Sequence, residues 1–245
     1  MKPAFNVRQQ SEVYISSAAE ILPELLPQGR VVVVSDATID RLYHPLLAKY
    51  DSVLIGTGES IKTLQTVETL YRRFIELGVD RSTFVLGIGG GIVTDVAGFA
   101  ASTYMRGLPF GFISTTLLGQ VDASVGGKNG VNVDGYKNMA GTFTQPQFVV
   151  CDPSLLRSLP DREFRAGLAE VVKAAIIADA DLFGALNRPR SRRSAPIPTC
   201  FRMSSRQPSA SRPISWSTTR RSPASAASST SGIRWPTPSR SPRTA

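Results

Sequence analysis

Between Gly87 and Gly141 the chain interleaves glycines with isolated charged and amide side chains, a combination suited to holding an anion. The glycines fall mainly in the runs GIGGG, SVGGKNG and GYKNMAG. Glycine lets a backbone approach a ligand closely, and backbone N–H groups beside fixed cations bind phosphate. The region therefore predicts a site for a phosphate-bearing ligand. Its isolated polar residues are Asp95, Arg106, Asp122, Lys128, Asn132, Lys137 and Asn138.

The first glycine run is not the common dinucleotide fingerprint G-x-G-x-x-G, because Ile92 stands where the last glycine is required. Gly90 and Gly91 nevertheless open a predicted helix with Asp95 one turn inside it, which suits a pyrophosphate at a helix N-terminus. A tight strand–helix turn without any ligand explains the same residues equally well.

The elements that position these residues alternate along the chain. Apolar, β-branched runs predict strands at residues 31–34, 52–55, 83–88, 109–114 and 148–151. Helical spacing predicts a helix capped by Ser60 and ended by Gly78, a small-residue helix over 92–103, and a helix over 162–177. The alternation predicts an α/β fold: a Rossmann-like, mainly parallel sheet with flanking helices. Ligands of such sheets bind at the carboxyl ends of the strands.

The composition changes abruptly near residue 187. Residues 188–245 contain 12 Arg, 15 Ser and 9 Pro with no acidic residue, so 16 basic and 19 acidic residues leave residues 1–187 with a net charge of −3. The basic pI therefore belongs to the tail, and we expect contact with nucleic acid only nonspecifically through it. Without periodic apolar residues the tail is predicted to be disordered. Our hypothesis is an out-of-frame segment, because shifted frames of GC-rich genes are typically rich in Arg, Ser and Pro.

Other classes of protein do not fit. No apolar run approaches the roughly 20 residues that a membrane span needs, and no secretory signal opens the chain. Cys151 and Cys200 lie far apart and form no metal-binding pair. We therefore expect a cytoplasmic protein with reduced thiols and no membrane contact.

The motifs together resemble 3-dehydroquinate synthase, of the sugar-phosphate cyclase family. They are, in order, GGG-x-x-x-D-x-x-G, MRG, STTLLGQVDASVGGKNGVN, GYKNMAGTFTQP and LPDREFRAGLAEVVK. The resemblance covers residues 1–187. It implies the conversion of 3-deoxy-D-arabino-heptulosonate 7-phosphate to 3-dehydroquinate and phosphate, a lyase reaction of the shikimate pathway. It also implies NAD, a divalent metal (zinc or cobalt) and a homodimer.

The resemblance assigns roles to individual residues. It implies that Glu170 is a metal ligand. Catalytic groups would be Asp122, Lys128 and Lys173. Substrate-binding groups would be Arg106, Asp122, Lys128 and Asn138, with Arg106 reaching a neighbouring subunit's site. Cofactor contacts would be Asp36, Glu59, Lys62, Gly90, Gly91, Asp95, Thr115, Thr116 and Lys137.

The chain also departs from this family. The family's metal is held by that Glu and two histidines of a later helical domain, whereas this chain has only His44, which matches neither position. We therefore predict an NAD-binding α/β domain over residues 1–160, the start of a truncated helical domain over 161–187, and the tail over 188–245. The family's second, all-helical domain is largely absent, the metal site is incomplete, and we expect little synthase activity.

Two other functions remain open from the sequence. One is a nucleotide-binding body with a genuine basic tail that contacts nucleic acid. The other is a related polyol dehydrogenase or another sugar-phosphate cyclase, which fits the glycine turn but not VDASVGGK or GYKNMAG.

Overall fold

The computed structural model describes residues 2–7 and 10–187, and it confirms a Rossmann-like, mainly parallel sheet. The seven-stranded sheet has the order β1-β2-β9-β6-β5-β3-β4, in which only β1 is antiparallel to its neighbour. Its strands are β1 (Phe5–Val7), β2 (Ser11–Ile15), β3 (Val31–Asp36), β4 (Asp51–Ile55), β5 (Phe84–Gly89), β6 (Phe110–Ser114) and β9 (Phe148–Cys151). A separate hairpin comprises β7 (Lys128–Val133) and β8 (Tyr136–Phe143).

Helices cover both faces of the sheet. They are α1 (Ala18–Leu25), α2 (Ala37–Leu47), α3 (Leu64–Glu76), α4 (Gly91–Thr103), α5 (Asp161–Ala178) and α6 (Ala180–Leu186). Side chains that alternate along β3 divide between two cores, with Val32 and Val34 packed beside α3 and α4, and Val31 and Val33 beside α1 and α2. The four consecutive valines are all buried because the strand is covered on both faces.

The order of the strands creates a crevice between β3 and β5. After β3 the chain forms β4 on one side of it. It then crosses to the other side of β3 to form β5, and β6 follows on that same side, next to β5. In such sheets the ligand crevice opens at this reversal, outside the carboxyl ends of the strands. Ser35 joins the two ends there, because its hydroxyl donates a 2.8 Å hydrogen bond to the Ile88 carbonyl.

The hairpin was not predicted, and its strands carry Lys128, Lys137 and Asn138, which the sequence showed only as isolated polar residues between glycine runs. It packs on α4, where a Cβ on Gly98 would lie 2.1 Å from the Asn129 Oδ1 atom. Gly98 therefore allows strand and helix to touch, and this contact fixes the hairpin beside α4.

The start of α3 also differs from the prediction. Ser60 lies within a short 3-10 turn, Glu59–Ile61, and the helix begins after Thr63. The Thr63 hydroxyl accepts a hydrogen bond from the Thr66 backbone N–H, so it satisfies a donor of the first turn as an N-cap should. The sequence also gave no prediction for β1, β2 or α1.

Helices α5 and α6 pack their buried residues Val171, Ala175 and Leu182 against Leu117, which follows β6, and Leu156, which follows β9. The predicted division near residue 160 stays a prediction, because this core contains residues from both sides of it. No helix of the described residues is long and apolar enough to cross a membrane. The predicted disorder of residues 188–245 lies outside the described residues.

Candidate functional site

One buried ion pair stands at the centre of the site. The Lys62 Nζ atom lies 2.5 Å from Asp95 Oδ2, and the two side chains are 7% and 19% exposed. Lys62 reaches the pair from the turn after β4, and Asp95 from the first turns of α4. Lys62 also donates to the Asn138 Oδ1 atom, at 2.6 Å. Three residues that the sequence assigned to cofactor and substrate thus meet at one ammonium group.

Burial dominates the electrostatics of this pair. It raises the pKa of Asp95 to about 6, although the positive charges of Lys62 and Lys128 oppose the rise. The negative charge of Glu59 pushes the pKa in the same direction as burial. At pH 7 Asp95 is therefore mostly ionised, with its carboxylate held against a buried ammonium.

A second set of contacts joins the hairpin to the turn after β4. Asn132 donates from Nδ2 to Glu59 Oε1 at 3.0 Å and accepts at Oδ1 from the Asn138 backbone N–H at 2.9 Å. The Lys137 Nζ atom lies 3.8 Å from the same Glu59 oxygen. Sequence reasoning noted Asn132 as an isolated amide but gave it no role. The signal for it was its place two residues before the Asp134-Gly135 turn, after which the chain returns toward it and Asn138 reaches its side chain.

The glycine turn lies beside this network because it opens α4. Gly90 has ordinary extended backbone (φ −79°, ψ −176°), so no left-handed conformation requires its glycine. Close packing does require it: a Cβ on Gly90 would lie 2.8 Å from the Thr116 methyl group, and one on Gly91 would lie 3.0 Å from Ala123. The segment after β6 is therefore held tightly against the N-terminus of α4.

That segment carries Thr115 and Thr116. The Thr116 hydroxyl accepts from the Gly119 backbone N–H at 3.1 Å and so shapes the turn. The Thr115 hydroxyl is buried and has no hydrogen-bond partner within residues 2–7 and 10–187. A buried hydroxyl without a partner costs free energy, and such atoms mark places where a ligand or an ordered water completes the structure.

Asp122, Glu170 and Lys173 form a second cluster at the same edge of the sheet. The Lys173 Nζ atom donates to Glu170 Oε2 at 2.7 Å. That hydrogen bond and the charge of Glu170 raise the pKa of Lys173, and the charge of Asp122 raises it further. Asp122 lies in the π-helical turn Gly119–Ala123, against which α5 packs.

Two assigned residues stay apart from both clusters. The Asp36 carboxylate accepts hydrogen bonds at one oxygen from the backbone N–H groups of Thr38 and Ile39, so it caps α2 at the end of β3. Arg106 is exposed and follows the far end of α4, which is about 20 Å long. Its backbone is left-handed (φ 72°), as is that of Met105.

The metal ligands do not assemble within the described residues. No group of three His, Cys, Asp or Glu residues that could hold a metal ion occurs there. Glu170 is one carboxylate already bonded to Lys173, and His44 pairs with Asp40 on α2. A zinc-type site takes three protein ligands, so these residues do not fit one on their own.

Known proteins share the sequence and fold of this part of the chain. The N-terminal region of 3-dehydroquinate synthase, as a family, matches residues 52–166. A 3-dehydroquinate synthase of Halorhodospira halophila is 49% identical over 167 residues, which cover 66% of this chain and 47% of the relative. The chain thus spans about half the length of the curated relatives that it matches.

Solved structures of sugar-phosphate cyclases have the same fold. A 2-epi-5-epi-valiolone synthase from Streptomyces hygroscopicus, with NAD+ and Zn2+ bound, is 37% identical with a TM-score of 0.65, over 72% of this chain and 51% of that one. A 2-deoxy-scyllo-inosose synthase complexed with carbaglucose-6-phosphate, NAD+ and Co2+ is 30% identical with a TM-score of 0.60, over 67% and 48%. Residues 52–166 of this chain are therefore the N-terminal region of the 3-dehydroquinate synthase family, and the similarity to its members extends over about two thirds of the chain.

Proposed function

We propose that this chain binds NAD at the carboxyl edge of its sheet and forms the cofactor-binding half of a 3-dehydroquinate synthase. The reaction is the conversion of 3-deoxy-D-arabino-heptulosonate 7-phosphate to 3-dehydroquinate and phosphate. One observation carries the proposal. The contacts among Glu59, Lys62, Asp95 and Asn138 draw residues assigned to cofactor and to substrate into one network beside the Gly90-Gly91 turn.

The residues present fit a dinucleotide. When bound, NAD supplies a reversible hydride acceptor at a substrate alcohol. The N–H groups at the start of α4, which no side chain of the described residues caps, suit its pyrophosphate, because a helix N-terminus carries partial positive charge. The unpartnered Thr115 hydroxyl offers a hydrogen bond nearby. Glu59, in the exposed turn after β4, offers carboxylate oxygens to ribose hydroxyls.

On the substrate side, two lysines near Asp95 support binding of a phosphate group. Lys128 lies close enough to Asp95 to lower its pKa, and Lys62 binds Asn138. We assign Asp122, Lys128 and Lys173 to the chemistry, and Arg106, Asp122, Lys128 and Asn138 to the substrate. Asp122 and Lys173 share one cluster with Glu170, so a proton could pass among an amine and two carboxylates.

The metal would be held by Glu170, which is the one assigned ligand that the described residues supply. Because these residues do not form a three-ligand site, no step is derived through the metal. We further propose a cytoplasmic homodimer in which the exposed Arg106 serves a second subunit, with nonspecific nucleic-acid contact through the basic tail. Light scattering of the purified chain would measure the dimer, and a salt titration with duplex DNA the tail.

Titration of the full chain with NADH, followed by nicotinamide fluorescence, tests cofactor binding. We expect saturable binding that Glu59→Ala weakens about tenfold, which corresponds to the loss of a charge-assisted hydrogen bond. Glu76→Ala is the matched control, because Glu76 pairs with Arg73 at the exposed end of α3. Absence of saturable binding by the parent chain would overturn the proposal.

Phosphate release from the sugar phosphate tests whether this chain needs a C-terminal half for synthase activity. With NAD and Zn2+ or Co2+ present, we expect the 245-residue chain to release no phosphate above background. Release should appear when the C-terminal half of the Halorhodospira halophila relative is added as a separate polypeptide. Ordinary turnover by the chain alone would show that its own residues complete the metal site.

A further inference from the structure

Asn132 uses both ends of its amide to join two parts of the site. Its Nδ2 atom donates to Glu59 Oε1 at 3.0 Å, and its Oδ1 atom accepts from the Asn138 backbone N–H at 2.9 Å. Its own backbone N–H donates to the Lys62 carbonyl at 2.8 Å. In the described residues no other side chain is hydrogen-bonded to both the Glu59 side chain and the backbone of β8.

The backbone that Asn132 holds is strained. Asn138 has a left-handed conformation (φ 56°), which non-glycine residues adopt at a cost, although asparagine tolerates it better than most. Such a conformation persists where neighbouring contacts determine it. Here the contacts are the Asn132 amide on the backbone and Lys62 on the side chain, where Nζ lies 2.6 Å from Asn138 Oδ1.

We infer that Asn132 is a positioning residue that sets the cofactor-side carboxylate of Glu59 and the substrate-side amide of Asn138 in fixed relation. The inference rests on the proposed function, since Glu59 is placed there on the cofactor. Because Asn132 bonds to both, a shift of the hairpin moves Glu59 and so changes the cofactor site. In the same way, a bound cofactor that holds Glu59 restrains the hairpin. Binding of one ligand therefore prepares the site for the other.

The donor end of the amide makes asparagine specific here. Asn132→Asp keeps an acceptor for the Asn138 N–H but turns a carboxylate oxygen toward the Glu59 carboxylate. Like charges at that distance repel, so Glu59 moves away from its position. Glu59→Gln supplies an amide donor that faces the new carboxylate, so combining the two changes restores a hydrogen bond of the opposite direction.

NADH titration of the full chain tests this in a double-mutant cycle. We expect N132D to weaken NADH binding at least about tenfold in the parent background and less than about threefold in the E59Q background. N132A removes both contacts without adding charge, so E59Q should not rescue it. The cycle separates positioning from folding, because loss of stability alone would not be reversed by a change at Glu59.

Thr142→Val is the matched control. It removes a 2.7 Å contact between the Thr142 and Ser102 hydroxyls that ties the same hairpin to α4, with no link to Glu59. T142V should keep NADH affinity within about twofold. The positioning role of Asn132 is wrong if T142V and N132D lose NADH affinity equally, or if E59Q does not reduce the effect of N132D. Either result leaves the proposed function standing. No binding by the parent chain overturns the proposed function and, with it, this role.

Discussion

Lys62 and Asp95 form a buried ion pair, so the loss of either residue affects stability more than the loss of an exposed charge. Both side chains are largely withdrawn from water, and burial of either charge alone is costly. Their attraction offsets part of that cost only while both are present. Lys137, in contrast, lies 3.8 Å from Glu59 with its side chain 73% exposed, so solvent screens the pair. Lys62 is therefore in a low-dielectric environment, whereas Lys137 is surrounded by solvent.

This contrast predicts the effects of two matched substitutions. Lys62→Met leaves the Asp95 carboxylate buried without its partner, and we expect a loss of about 3–5 kcal/mol in unfolding free energy at pH 8. The loss should be smaller at pH 5, where Asp95 can take up a proton. Lys137→Met should change stability by less than about 0.5 kcal/mol. Urea denaturation at both pH values measures the losses; equal effects of the two variants would contradict the assigned burial.

The pKa of Asp95 predicts how stability depends on pH. Because the folded chain raises this pKa from 3.8 to about 6, the folded state binds the proton more tightly than the unfolded state. The stabilisation by that proton is full below about pH 4 and is lost as pH rises through about 6. The difference in unfolding free energy between the parent and Asp95→Asn should fall by at most about 1.4 kcal/mol per pH unit over this window. A difference that rises with pH would refute the assignment.

The elements show which features a sequence can reveal. Buried strands such as β3 were predictable, because its apolar run suits a strand covered on both faces. Strands β7 and β8 were not, because they contain glycines and amides and few β-branched residues. They form through pairing with each other and through the contact of Gly98 with Asn129, which neither segment reveals alone. Likewise, Ser60 and Thr63 are both good caps, and only the 3-10 turn selects the second.

Close packing of α5 predicts an effect at a single glycine. A Cβ on Gly167 would lie 2.6 Å from the Leu118 backbone nitrogen and 2.7 Å from the Leu117 Cβ. Backbone cannot yield as a flexible side chain does, so Gly167→Ala should lower the free energy of unfolding by about 1–3 kcal/mol. It should also move Glu170 and Lys173 away from Asp122, because both of them lie on α5 together with Gly167.

Gly184 provides the matched control for that substitution. It lies in α6, and beyond its own stretch of helix no heavy atom of residues 2–7 and 10–187 lies within 4 Å of the position that a Cβ would take. Gly184→Ala should therefore raise stability by about 0.5–1 kcal/mol through the better helix propensity of alanine. Thermal unfolding of the two variants measures both signs. Stabilisation by Gly167→Ala would mean that α5 does not approach the segment after β6 as closely as described.

At the scale of the whole molecule, the reversal of strand order accounts for where the site lies. The sequence located its parts correctly at strand ends, because Asp36, Gly90 and Thr115 each follow a buried run. It could not order the strands, since apolar runs do not specify which neighbours pair. It also could not show that Lys62 and Asp95 are buried together, because they are 33 positions apart and belong to different elements.

The exposed surface near the end of α5 predicts association between molecules. Ile176 and Ile177 are 65% and 73% exposed, and adjacent exposed isoleucines favour association of one molecule with another. Ile177→Glu should lower self-association in light scattering at increasing concentration while changing stability by less than about 0.5 kcal/mol. Ile75→Glu is the control, because Ile75 is a similarly exposed isoleucine (67%) on α3, outside this surface. If Ile75→Glu lowers scattering as much, general surface hydrophobicity drives the association and the α5 surface has no special part in it.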